Sequence, residues 1–140
     1  MTSRSPLEPA FESTGYTNEL AFRRAVNDLL IFHGWRPVVK NQGFADVLAE
    51  KDNRFLMMEL KIPKLSAHVD TALGQLMRYS VDGPQPCKLI IVFEGDWADG
   101  ARKQAARVIE KFDLPIVATT AKRFVEFVEN GGDPFEFTVC

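Results

Sequence analysis

The stretch from residue 44 to residue 62, FADVLAEKDNRFLMMELKI, constrains this chain more than any other. Two runs rich in apolar and β-forming residues flank Lys51-Asp52-Asn53-Arg54, the pattern of a β-hairpin. With the turn centred between Asp52 and Asn53, the numbers of cross-strand partners sum to 105, so Asp46 falls opposite Glu59 and Phe44 opposite Lys61. Side chains alternate along a strand, which sends Ala45, Val47, Ala49, Leu56, Met58, Leu60 and Ile62 to the other face. All seven are apolar, so that face is read as core.

Two directly opposed carboxylates on a half-buried sheet destabilise it unless something neutralises them. A divalent cation does so: hard Mg²⁺ or Mn²⁺ takes carboxylate and carbonyl oxygens and leaves positions open for a substrate phosphate. Lys61 shares the face of Glu59. An ammonium there can position or deprotonate an attacking water, or offset the charge that builds on a phosphate. The competing reading is an ion-pair cluster on a solvated face. Phe44, Leu48, Phe55 and Met57 lie on that same face and argue that it is covered instead.

The remaining chain supplies helices and further strands. Residues 1–15 carry two prolines and three serines with little periodicity and read as a flexible arm, leaving 16–140 as a single domain. Thr17 is the expected N-cap of a helix over 19–33, where Ala21, Phe22, Ala25, Val26, Leu29, Leu30 and Phe32 recur at helical spacing before Gly34. An extended piece over 36–40 precedes the hairpin, so three strands in a row imply an antiparallel meander. Helices are expected over 69–80, 98–112 and 120–129, strands over 88–93 and 114–118, and a possible edge strand over 135–139 from its alternation. The order predicts an α/β fold: a mixed central sheet flanked by helices on both faces.

Composition narrows the function classes. In a chain of 140 residues, 46% hydrophobic and 11% aromatic content fill a real core and exclude disorder. The formal charge of -2, from 17 basic and 19 acidic side chains, argues against binding nucleic acid or anionic membrane by bulk charge and leaves a local basic site open. Cys87 and Cys140 are too few for a disulfide framework or a Cys-ligated zinc site, and no apolar run is long enough to span a membrane. With no cleavable signal segment read at the start, the expectation is a cytoplasmic protein.

Asp46, then Glu59-Leu60-Lys61, then Gln75 with Tyr79 on the next helix, resembles the PD-(D/E)xK phosphodiesterase superfamily, the restriction-endonuclease-like nucleases. The order helix, three strands, helix, strand over 19–93 is similar to that family's αβββαβ core, and Ala45 stands where the motif has its proline. The resemblance implies Mg²⁺ or Mn²⁺ held by Asp46, Glu59 and the Leu60 carbonyl, with Lys61 as the catalytic lysine. It further implies Glu19 as an extra acidic ligand and Gln75 as a site residue. The activity implied is metal-dependent hydrolysis of phosphodiester bonds, DNA foremost, as an endonuclease leaving 5′-phosphates.

Several of these residues have plainer readings. Glu19 suits a helix start and an i, i+4 pair with Arg23, while Gln75 and Tyr79 fit ordinary packing one helical turn apart. His33 suits a helix C-terminus, and His68 precedes the second helix without a neighbouring ligand. Arg102, Lys103, Arg107 and Lys111 form a solvated face. Lys40, Lys64, Arg78 and Tyr79 are the expected substrate-binding residues, the basic ones as phosphate contacts. A homodimer is the expected assembly, paired through the apolar alternation of Phe135, Phe137 and Val139. The rival function is a catalytically silent nuclease-like module that binds nucleic acid or a protein partner.

Overall fold

The computed structural model describes residues 18–38 and 45–138. Helix α1 (Glu19–Phe32) begins at Asn18, whose side chain accepts from the Ala21 N–H at 3.0 Å. Asn18 fills the capping role expected of Thr17, which lies outside the described residues, as do the arm over 1–15 and Lys40. Phe22, Ala25, Val26, Leu29 and Leu30 form its buried stripe, and Gly34, with φ of 91°, turns the chain out of the helix.

Strands β1 (Arg36–Pro37), β2 (Val47–Lys51) and β3 (Arg54–Lys61) form the expected antiparallel meander. The hairpin register runs from Val47 opposite Met58 to Lys51 opposite Arg54, every pair summing to 105. Asp52 and Asn53 both take positive φ, 55° and 63°, the left-handed backbone of a two-residue turn that short polar side chains tolerate. Helix α2 (Ser66–Val81) crosses over to β4 (Cys87–Phe93), parallel to β3, and α3 (Ala98–Phe112) crosses over to β5 (Ile116–Thr120), parallel to β4. The sheet is five-stranded and mixed, in the order β1-β2-β3-β4-β5, and α4 (Ala121–Glu129) follows β5.

Both faces of the sheet are covered, as the α/β reading predicts. On one, α1 and α4 pack over Val47, Ala49, Leu56, Met58, Leu60, Ile90 and Val92; on the other, α2 and α3 pack over Leu48, Met57, Leu89, Ile91 and Phe93. Ala45 belongs to the second group, not the first, because the chain bends at Asp46 and the alternation stops there.

Three other segments depart from expectation: α2 starts at Ser66, three residues ahead of the expected 69, and two more lie nearer the C-terminus. Strand β5 starts two residues later than read because the Leu114 N–H donates to the Ile109 carbonyl at 3.0 Å, closing the end of α3 behind the left-handed Asp113. The expected edge strand over 135–139 is instead a 3₁₀ turn, Pro134–Glu136. Asp133 caps it by accepting from the Phe135 N–H at 3.0 Å, and Phe137 turns inward, edge-on to Phe124 and Phe127 at 5.9 and 4.8 Å between ring centroids. Phe137 is thereby core, and the apolar alternation offers no pairing edge through Phe135 and Phe137; Val139 lies outside the described residues. Among the described residues, no helix is long and apolar enough to cross a membrane.

Candidate active site

The hairpin arithmetic brings Asp46 to the end of β3, by a different geometry from the one expected. The β2–β3 ladder ends at Val47 and Met58, and Asp46 sits on the bend just before it. Its carboxylate reaches across the gap the bend leaves: Oδ2 accepts from the Leu60 N–H at 2.8 Å, a bond that a continued β2 would have supplied. The other oxygen, Oδ1, accepts from Arg23 Nη2 of α1 at 3.2 Å. One helical turn earlier, Glu19 Oε2 accepts from the Ile62 N–H at 3.2 Å. Arg23 therefore serves Asp46 and not Glu19, and the expected i, i+4 pair of Glu19 with Arg23 is absent. The Leu60 carbonyl lies on the same edge of β3 as its N–H, the edge that Asp46 approaches.

Glu59 is the unusual group. It is only 4% exposed, and Oε1 is buried without a hydrogen-bond partner among the described residues. Burial pushes its carboxyl up from 4.5 to about 7, and the charge of Asp46 adds to the rise. The Lys61 ammonium and the Asp46 backbone N–H pull the other way, and Glu19 adds a further push upward. A buried acid with an unsatisfied oxygen costs stability, so its presence needs an explanation beyond packing.

Gln75 lies on α2, which packs against β3, and its Oε1 is also buried without a partner among the described residues. Lys61 ends β3 half-buried, and its carbonyl accepts from the Glu94 N–H at 2.9 Å. Lys64 is exposed in the following loop, where its backbone N–H donates to His68 Nδ1 at 3.1 Å. Arg78 and Tyr79 sit apart from this end. They occupy the last turns of α2, which runs back from Lys61 toward the start of β4. Tyr79 packs into the core between α2, α3 and the sheet, and the Arg78 guanidinium lies 4.8 Å from the centre of its ring. His33 caps the end of α1, edge-on to Phe32.

Two residues of this corner escaped the reading of the sequence. The local sequence offers Arg23 only Glu19 as a partner, since nothing in it marks a contact with a residue 23 positions away. Glu94 follows β4 directly, and the parallel pairing of Lys61 with Phe93 brings it beside the strand end, where its Oε1 accepts from the Gly95 N–H at 3.0 Å. The acid that immediately follows the apolar run over 88–93 was the available signal.

Asp46, Glu59 and the Leu60 carbonyl supply hard oxygen donors of the kind Mg²⁺ or Mn²⁺ takes, and the unpartnered Glu59 oxygen is consistent with such a ligand. Glu19 and Asp46 are turned toward backbone amides, and among the described residues no three His, Cys, Asp or Glu side chains converge on a common point. No protein-family model, curated protein or solved structure matches the chain.

Proposed function

We propose that this chain is a divalent-metal-dependent phosphodiesterase, a nuclease of the PD-(D/E)xK type acting on DNA. The observation that carries the reading is the buried, unpartnered Glu59 oxygen beside Asp46, with Lys61 two residues on. Support also comes from the element order αβββαβ over the first six elements, and from the position at the carboxyl end of a parallel strand, where open α/β sheets bind ligands.

Asp46, Glu59 and the Leu60 carbonyl would hold Mg²⁺ or Mn²⁺. The cation, when bound, supplies Lewis-acid activation of the phosphodiester and of the attacking water. Lys61 orients that water and offsets charge developing on the phosphate. Gln75, on the helix that packs against β3, is assigned to the site with its unpartnered Oε1, and Lys64 contacts the phosphate backbone without reading sequence.

The test is cleavage of plasmid and single-stranded DNA in Mg²⁺ or Mn²⁺ by the wild type and by Asp46→Ala, Glu59→Gln and Lys61→Ala. Cleavage by the wild type, reduced at least about a hundredfold in each variant and abolished by EDTA, is expected. Equal products from all four proteins would identify a contaminant, and none from any would remove the enzymatic reading. A second reading, a silent module that binds nucleic acid or a protein, is favoured by one observation: both Asp46 oxygens are already engaged, by Arg23 and by the Leu60 amide.

A further inference from the structure

The bond between Arg23 and Asp46 has a function of its own, one that rests on the reading of this corner as a cation site. The Arg23 guanidinium holds Asp46 Oδ1 at 3.2 Å. It is the positive charge that α1 contributes here, as Lys61 is the one from β3. Its side chain is 46% exposed against 20% for Asp46, so the guanidinium can leave toward water without uncovering core. Asp46 stays anchored when it does, because Oδ2 remains on the Leu60 N–H at 2.8 Å. One oxygen is thus fixed to the strand and the other rests on a removable cation.

We propose that Arg23 is a stand-in for the divalent cation: it occupies Asp46 Oδ1 in the metal-free protein, is displaced on cation binding, and so sets the cation affinity of the site. Its displacement also frees a guanidinium at the mouth of the site, where a phosphodiester anion is its natural next partner. A merely structural ion pair, tying α1 to the sheet, makes a different prediction: its loss would weaken the fold equally with and without metal.

The experiment is Mn²⁺ titration followed by calorimetry, with melting curves in EDTA and in saturating Mn²⁺, for the wild type, Arg23→Met, Arg23→Lys and Asp46→Asn. Arg23→Met keeps most of the aliphatic stem and removes the charge. It is expected to bind Mn²⁺ roughly three- to tenfold more tightly than the wild type, an effect the size of losing one partly exposed charge next to a ligand. In EDTA it is expected to melt a few degrees lower, because Asp46 loses its counter-charge, and in Mn²⁺ the gap closes. Arg23→Lys falls between the two, and Asp46→Asn loses Mn²⁺ binding. Unchanged or weaker Mn²⁺ affinity in Arg23→Met, with the wild type binding, overturns the stand-in role and leaves the cation site in place. Absence of Mn²⁺ binding in all four proteins overturns both.

Discussion

Glu59 carries the strongest electrostatic signature among the described residues, and it bears on how stability responds to pH. The folded carboxyl titrates near 7, against 4.5 when unperturbed. Between those values the folded state keeps a proton that the unfolded state has released, so stability in the absence of metal falls as pH rises through this window and levels off above it. The full span corresponds to at most about 3 kcal/mol. Glu59→Gln keeps the shape and removes the charge. In EDTA it is expected to match the wild type near pH 4.5 and to exceed its stability at pH 8 by about 1–3 kcal/mol, as read by urea unfolding at the two pH values. Equal stability at pH 8 would mean that the carboxylate is not desolvated. The gathering of Asp46, Glu59 and Lys61 at one strand end was legible in the sequence because hairpin register is arithmetic once the turn is placed. The bend at Asp46 was not, because alternation says nothing about where a strand stops, and so Ala45 was assigned to the wrong face.

At the scale of elements, strong periodicity made α3 readable to the residue, and both faces of β3 proved buried because helices cover each side. The C-terminal segment shows the opposite. Alternation of Phe135 and Phe137 read as a strand, but Asp133-Pro134 starts a capped turn with a preset proline, and local turn chemistry outweighs three alternating positions. Helix α2 carries a weak point of its own. Gly74 is exposed in its interior, and a Cβ there would meet nothing within 4 Å. Gly74→Ala is expected to stabilise the protein by about 0.5–1 kcal/mol, by removing backbone freedom from the unfolded chain. A shift of the urea midpoint to higher concentration at unchanged slope checks it; a downward shift would mean that the glycine is held by something other than helix geometry.

The whole molecule places its candidate site at one end of a mixed sheet, where β3 and β4 run parallel and, among the described residues, the β2–β3 ladder ends at Val47 and Met58. Helix α1 closes that corner with Glu19 and Arg23, so three elements distant in sequence meet there. The net charge of -2 opposes association with a polyanion, yet one bound divalent cation brings the formal total to zero and offsets the carboxylates of Asp46 and Glu59 beside Lys61. The charge count that argued against nucleic acid therefore agrees with a site that needs its cation before it meets phosphate. The most direct test locates that cation: anomalous diffraction from crystals of the protein grown or soaked in Mn²⁺. A peak is expected at the carboxylates of Asp46 and Glu59 near the Leu60 carbonyl, with Arg23 displaced from Asp46. Crystals in saturating Mn²⁺ that keep the Arg23–Asp46 pair and show no peak at Glu59 would contradict it.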